Sequence, residues 1–426
     1  MTPFELLATV LSLTAIFSWI NHRWLRLPPT IGLMALALAG SLLLLALERA
    51  GAVDLAQLTV LVHAVDFDAT LLNGMLGALL FAGSLHVDIV ELRAQWKLVG
   101  LMSTLGVVLS TLIVGGGSWW LTSLVGIAVP FAWCLVFGAL ISPTDPIAVG
   151  AILKSVGVPK RLEVAITGES LFNDGVGVVV FLVLLGVASG GAQLDVGHIT
   201  QLLAVEAVGG CLFGAAIGWL TNRMLAKVDA YQVEILLTLA LTTGGYALAN
   251  RLHVSGPLAM VVAGLIVGSH GRAYALSTQS RARLDEFWEL VDEFLNAILF
   301  VLMGVEVVVI QFSGASLGAG VFAIPLVLLA RVAASGVPLV LLPEARRSHP
   351  GALPILTWAG LRGGISVALA LSLPASEHRA TLITMTYVVV CFSILVQGTS
   401  VGAVVKRVLS RTASPPTPST PAALAP

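Results

Sequence analysis

Charge is what this chain has least of. Asp, Glu, Lys and Arg make up 11% of its 426 residues, where soluble proteins carry about a quarter. With 57% of residues hydrophobic, the chain is too apolar for a water-soluble globule of this length. The charges nearly cancel, to a net −1, so no basic face is available to read a phosphate backbone and a nucleic-acid partner is excluded. Cysteine is scarce too. Cys134, Cys211 and Cys391 are odd in number and each lies inside an apolar run, which argues against a disulfide framework or a zinc site and for three small core residues. The first apolar run has no Lys or Arg before it and carries Glu5. A secretory signal would show a positive leader and a small-residue cleavage site, so this run reads as an uncleaved helix.

What is present is a succession of long apolar stretches. They fall at 4–20, 30–47, 69–87, 98–121, 131–153, 164–189, 198–220, 233–250, 256–270, 294–311, 317–342, 353–373 and 380–405. About 20 apolar residues suffice to cross a bilayer core of about 30 Å. The pattern predicts an all-α, multi-pass membrane protein of about thirteen spans. Segment 278–293 is amphipathic and is expected along the cytoplasmic interface ahead of the tenth span. The membrane part runs over 1–410. The remainder, 411–426, is rich in Pro, Ser, Thr and Ala and is expected to be disordered.

The basic residues provide an independent check, because cytoplasmic loops of membrane proteins carry an excess of Lys and Arg. With the N-terminus outside, Arg49, Arg251 and Arg379 fall on outer segments. Arg331 and Arg362 lie within spans, and the other seventeen of the 22 Lys and Arg fall on cytoplasmic segments. A wrong span count would scramble this alternation. The reading is therefore a plasma-membrane protein with its N-terminus outside and its C-terminus cytoplasmic.

Against this apolar background the buried polar groups stand out. A charge at mid-membrane costs about 2.5–3.5 kcal/mol on the gentlest scale, so each one is a functional candidate. The fifth run contains Ser142-Pro143-Thr144-Asp145-Pro146. Two prolines three residues apart unwind a helix and free carbonyls and amides beside Asp145 and the Thr144 hydroxyl, an oxygen-rich setting for a hard cation. A plain proline kink is the alternative, but a kink needs no aspartate. The sixth run opens with Gly168-Glu169-Ser170-Leu171-Phe172-Asn173-Asp174-Gly175. Glu169 and Asn173 share one helix face, and Ser170 and Asp174 share the adjacent one. Asp174 and Ser170 are placed to meet Asp145 and Thr144 across the helix pair and cage a sodium ion, with Glu169 and Asn173 as a supporting network. Arg331 in the eleventh run requires a buried carboxylate, and Glu169 is the preferred partner. Arg362 sits among Gly360, Gly363 and Gly364, which loosen the twelfth run, and it compensates helix-end dipoles there. Glu206 and Glu306 are apolar-run acids without a motif, and the eight histidines are too scattered to hold a metal.

If the seventh run is a linker, runs 1–6 and 8–13 form two inverted six-helix repeats. The interrupted helices, five and twelve, are then the fifth members of their sets. Paired interruptions in corresponding halves are the best sequence pointer to a transporter's mid-membrane site.

At Leu79-Leu80-Phe81-Ala82-Gly83, Ser142–Pro146, Gly168–Gly175, Asn296–Gly304, Ala330-Arg331-Val332 and Gly360–Gly363 the chain resembles the monovalent cation:proton antiporter-1 family, the bacterial NhaP-type antiporters and animal NHE-type exchangers. The resemblance reaches to about residue 407. It implies a thirteen-helix fold with a core of helices 4–6 (98–189) and 11–13 (317–405), and a homodimer through helices 1–3 and 7–10. It also implies ion or proton binding at Asp174 with Asp145, Thr144 and Ser170 around the ion, and a supporting network of Glu169, Asn173 and Arg331. Asn173 beside Asp174 is similar to the electroneutral branch of the family. The expected activity is exchange of Na+, or Li+, for H+ by alternating access, without enzyme chemistry or a cofactor. A K+/H+ antiporter of the same fold is the alternative. A cation channel would need a continuous polar path rather than one cluster. An intramembrane aspartyl protease built on Asp145 and Asp174 would explain neither the prolines nor the inverted halves.

Overall fold

The computed structural model describes residues 3–56, 67–145, 147–190, 196–269, 277–310, 312–348 and 351–412. Pro146, His63, His270, Arg272, His349 and the tail from 413 lie outside the described residues.

Among the described residues the chain is all-helical, and its one piece of β pairing is a single bridge between Asp145 and Leu361. In order, the principal helices are α1 (Pro3–Ile20), α2 (Pro29–Arg49), α3 (Leu76–Leu85), α4 (Ile89–Ser103), α5 (Leu105–Leu124), α6 (Phe131–Leu140), α7 (Ile147–Val156), α8 (Lys160–Ala188) and α9 (Val196–Leu225). There follow α10 (Tyr231–Ala240), α11 (Gly256–Ile266), α12 (Thr278–Glu306), α13 (Gly314–Leu341), α14 (Ala352–Ala359), α15 (Gly364–Leu371), α16 (Arg379–Phe392) and α17 (Gly398–Thr412). Among the described residues, eight helices or continuous helical stretches are long and apolar enough to cross a membrane, and shorter apolar helices lie between them.

Local chemistry explains where these helices start. Pro29 stands at the first position of α2, where its missing N–H is no loss. Asp88 caps α4 by accepting from the amides of Val90 (2.9 Å) and Glu91 (3.3 Å), and Ser255, Ser277 and Ser313 do the same for α11, α12 and α13. The fifth and twelfth apolar runs are both broken. The former stops as α6 at Leu140 and resumes as α7 at Ile147, and the latter stops as α14 at Ala359 and resumes as α15 at Gly364.

One expectation changes. The amphipathic stretch 278–293 is no separate interfacial helix. It is the first half of α12, which runs unbroken from Thr278 to Glu306. The stretch contains no proline or glycine, so nothing in it forces a break.

The interior forms two apolar clusters. One joins Ile31, Phe137, Phe181, Phe300, Leu356 and Tyr387, from α2, α6, α8, α12, α14 and α16. The other joins Leu80, Leu92, Leu171, Met260 and Trp288, from α3, α4, α8, α11 and α12. Helices α8 and α12 contribute to both and tie them together. The outer surface is itself apolar, with Phe4, Trp96, Trp120, Leu212 and Leu236 each more than half exposed, as lipid-facing positions should be.

Without a hydrophobic drive between helices in lipid, close packing relies on small residues. Helix α9 presents Gly210, Gly214 and Gly218 to Ser255, Ala259 and Ala263 beside and within α11. A methyl group on Gly210 would lie 2.6 Å from the Ser255 carbonyl oxygen, one on Gly214 would overlap the Ala259 carbonyl, and one on Gly218 would lie 2.9 Å from the Ala263 Cα. Gly214→Ala is therefore expected to lower stability by about 1–3 kcal/mol through overpacking. Gly186→Ala, where the added methyl meets nothing within 4 Å, should not. Melting curves of the detergent-purified variants check this, and equal melting of Gly214→Ala and wild type would contradict the packing argument.

Candidate functional site

The two interruptions meet. The chain between α6 and α7 passes the chain between α14 and α15, and the Asp145 amide donates to the Leu361 carbonyl at 2.8 Å. A broken helix leaves carbonyls that lipid cannot satisfy. Arg362, 2% exposed, answers this: its Nη1 donates to the carbonyls of Ser142 and, at 3.0 Å, Pro143, just past the end of α6. Its own amide donates to Ser393 Oγ at 2.8 Å. A guanidinium at a helix C-terminus also balances the negative end of the helix dipole. The Ser142 hydroxyl turns back to the Gly138 carbonyl at 2.7 Å.

Thr144 is held from α8. Its amide donates to Asn173 Oδ1 at 3.3 Å, and its hydroxyl accepts from Asn173 Nδ2 at 2.8 Å. The orientation of the Asn173 amide follows from chemistry, since a backbone N–H only donates. The Thr144 and Ser170 hydroxyls lie 2.8 Å apart. Asn173 thus works on Thr144, and it is Arg331 that meets Glu169. Both terminal guanidinium nitrogens of Arg331 bond the Glu169 carboxylate, with Nη2–Oε2 at 2.8 Å, and Nε donates to the Leu356 carbonyl at 3.1 Å. Glu169 is 1% and Arg331 4% exposed, so this two-pronged pair is fully enclosed. Close approach needs glycine on both sides of the crossing: a methyl group on Gly360 would strike Arg331 Nε, and one on Gly363 would strike the Asp145 carboxylate.

Asp145 and Asp174 face one cavity of about 530 Å³. Its wall includes Pro143, Thr144, Gly363 and Ser366 at the crossing, and Asp88, Lys160, Glu163, Asp285, Glu289, Asp292, Glu293 and Asn296 toward its mouth. Along α12 the exposure falls from Glu289, exposed, through Asp292, partly buried, to Asn296 at 2%. Asp174 is 6% exposed. Acids outnumber the one lysine around this passage, and such a low-dielectric cleft concentrates cations. No cluster of three or more His, Cys, Asp or Glu with metal-holding geometry occurs among the described residues.

Sequence reasoning overlooked the α12 wall. Asp285, Glu289, Asp292, Asn296 and Leu299 recur at intervals of four, three, four and three. That is one helix face, and every member lines the cavity. The stripe was readable, but treating 278–293 as detached from the tenth span hid it. Glu206 and Glu306 do not line this cavity.

A broken-helix crossing beside an acidic cavity in an all-helical membrane bundle can be compared with known proteins. A family model described as "Sodium/hydrogen exchanger, transmembrane" matches residues 10–407. The chain belongs to this family. It is 48% identical over 409 residues to the Na(+)/H(+) antiporter NhaP of Pseudomonas aeruginosa, covering 95% of this chain and 96% of the relative. It is 35% identical over 347 residues to the Na(+)/H(+) antiporter NhaH of Halobacillus aidingensis, covering 80% and 83%. Among solved structures, the sodium proton antiporter MjNhaP1 of Methanocaldococcus jannaschii superposes with a TM-score of 0.73 over 95% of this chain and 98% of that one, at 18% identity. At that identity the superposition establishes a shared fold.

The exchanger's enclosed ion pair generates a prediction. Removing one partner of a buried pair leaves an uncompensated charge and costs about 3–5 kcal/mol. Arg331→Ala should therefore melt well below wild type in detergent, and Asp174→Asn should not. Indistinguishable melting of Arg331→Ala and wild type would show that the pair carries no such weight.

Proposed function

We propose that this protein exchanges Na+ for H+ across the bilayer, one for one, at a site made by Asp174, Asp145, Thr144 and Ser170. Asn173 sets the position of Thr144. Arg362 seals the carbonyls of the broken fifth helix, and the Glu169–Arg331 pair braces α8 against α13 and α14. The observation that carries this reading is the position of Asp174: a nearly enclosed carboxylate, beside Asp145, at the inner end of an acid-lined cavity and next to a crossing of two unwound segments. The names of the relatives favour Na+ over K+.

The mechanism follows from the cost of burying charge. A bare carboxylate is expensive away from water, so the site moves across the membrane only when a proton or a cation neutralises it. One carboxylate cannot be neutralised by both at once, so each passenger displaces the other. The acidic cavity offers the cation a route to Asp174, while the hydroxyls of Thr144 and Ser170 and the carboxylates replace its lost water. Alternating access then reverses which side the site faces.

The finer architecture belongs to the same proposal. Thirteen apolar runs and the uneven division of Lys and Arg support thirteen spans in a plasma membrane, with the N-terminus outside and the C-terminus cytoplasmic. Two inverted repeats would place broken helices five and twelve in equivalent positions. Helices 4–6 (98–189) and 11–13 (317–405) would form the moving core, and helices 1–3 and 7–10 a homodimer.

Two measurements test this reading. In liposomes carrying a pH-sensitive dye, wild type should show Na+-triggered proton flux, and Asp174→Asn, which cannot release a proton, should show none while still folding. Wild-type flux from a folded Asp174→Asn would defeat the single-site model. The second concerns charge. Asn173 cannot titrate, so if Glu169 stays ionised against Arg331 and Asp145 keeps one state throughout, no net charge crosses per cycle. A potential of 100 mV is worth about 2.3 kcal/mol per charge. With the potential set by potassium and valinomycin, the end-point of Na+-driven proton flux should not move. A shifted end-point would mean that a second acid gives up its proton.

A further inference from the structure

Two enclosed oxygens in the wall of the cavity have no use in the scheme above. Asn296 on α12 is 2% exposed and Ser366 on α15 is 0% exposed, and both line the cavity that holds Asp145 and Asp174. Among the described residues, the Asn296 Oδ1 and the Ser366 Oγ have no hydrogen-bond partner. The direction of the Asn296 amide is chemically forced. Its Nδ2 donates both to the Asp292 carbonyl at 2.7 Å and to the Asp292 Oδ1 at 3.1 Å. Both of those atoms are acceptors, so the amide cannot be turned over. The free end of Asn296 is therefore an oxygen.

The helices that carry the two residues, α12 and α15, pack on each other. A methyl group on Gly364 would lie 2.7 Å from the Leu299 side chain, so the start of α15 rests on α12 one turn beyond Asn296. Gly363, the residue before Gly364, abuts the Asp145 carboxylate. This contact thus lies next to the crossing. A buried oxygen without a partner is destabilising, and enclosed polar atoms without partners call for an explanation such as a bound ion or water. Hard cations take oxygen ligands, carbonyl and hydroxyl among them.

We propose that Asn296 Oδ1 and Ser366 Oγ form a second cation-binding station, where an entering Na+ exchanges part of its water before reaching Asp174 and Asp145. Asp292 holds the Asn296 amide in place. The proposal rests on the Na+/H+ exchange reading. Both oxygens touch the passenger rather than the proton, so they act on Na+ affinity and leave the proton-carrying acid alone.

The test is a Na+ titration of dye-reported exchange at fixed pH, with wild type, Ser366→Ala and Asn296→Ala in liposomes. Each substitution should raise the half-saturating Na+ concentration about 3- to 10-fold, the range expected for loss of one polar contact, and leave the maximal rate near that of wild type. Melting of the purified protein separates this from a structural role. Removing an unpartnered buried hydroxyl does not destabilise, so without Na+ the Ser366→Ala protein should melt at or above wild type, while needing more Na+ for the same Na+-dependent stabilisation. If Ser366→Ala does not fold, Asn296→Ala is read on the same titration. Wild-type half-saturation in both variants, or a loss confined to the maximal rate, overturns the station alone. No Na+-driven flux from wild type removes the exchange reading beneath it.

Discussion

Unwinding a helix inside a membrane leaves peptide groups that lipid cannot satisfy, and the region around the crossing of 141–145 with 360–363 is organised to meet that demand. Arg362 covers the carbonyls of Ser142 and Pro143, Leu361 receives the Asp145 amide, and Asn173 receives the amide of Thr144. Each of these bonds links a broken segment to a different helix or to the other broken segment. The crossing is therefore held by tertiary contacts rather than by helical continuity. That is what lets Asp145 and Thr144 present oxygens to a cavity at all.

The enclosed acids of α8 divide according to whether a cation is built in beside them. Glu169 has a permanent one in Arg331, and the geometry is two-pronged and sealed. Asp174, five residues on, faces the cavity and Asp145. A buried pair of opposite charges is costly to disturb, whereas a carboxylate facing a cavity can take whichever cation arrives. In the proposed cycle this difference separates scaffold from passenger site on a single helix. The same α8 belongs to both apolar clusters, as does α12, which carries the acidic wall. Movement of one cluster against the other would then change the passage and the site together.

How far the chain could be read beforehand depended on the range of the interactions involved. The all-helical membrane class, the breaks near Pro143 and near Gly360 to Gly364, and the prominence of Glu169, Asp174 and Arg331 follow from local rules. Apolar runs, prolines and buried charges declare themselves without knowledge of their neighbours. Even the pairing of Arg331 with Glu169 was inferable, because an enclosed guanidinium accepts few partners. Misreading came where a local rule had two solutions. An amphipathic segment can lie on a membrane or line a cavity, and in 278–293 the acids Asp285, Glu289, Asp292 and Glu293 do the latter, on a helix that continues without a break to Glu306.

Sequence by itself therefore determined the class of protein and which polar groups must be exceptional, since burying charge in an apolar chain admits few explanations. Tertiary structure decided which of those groups serve one another. Asn173 turns to Thr144 rather than to Glu169, Arg362 reaches back across more than two hundred residues to the end of α6, and Asn296 and Ser366, seventy residues apart, line one cavity. Directional bonds between helices far apart in the chain set those partnerships, and no local pattern encodes them.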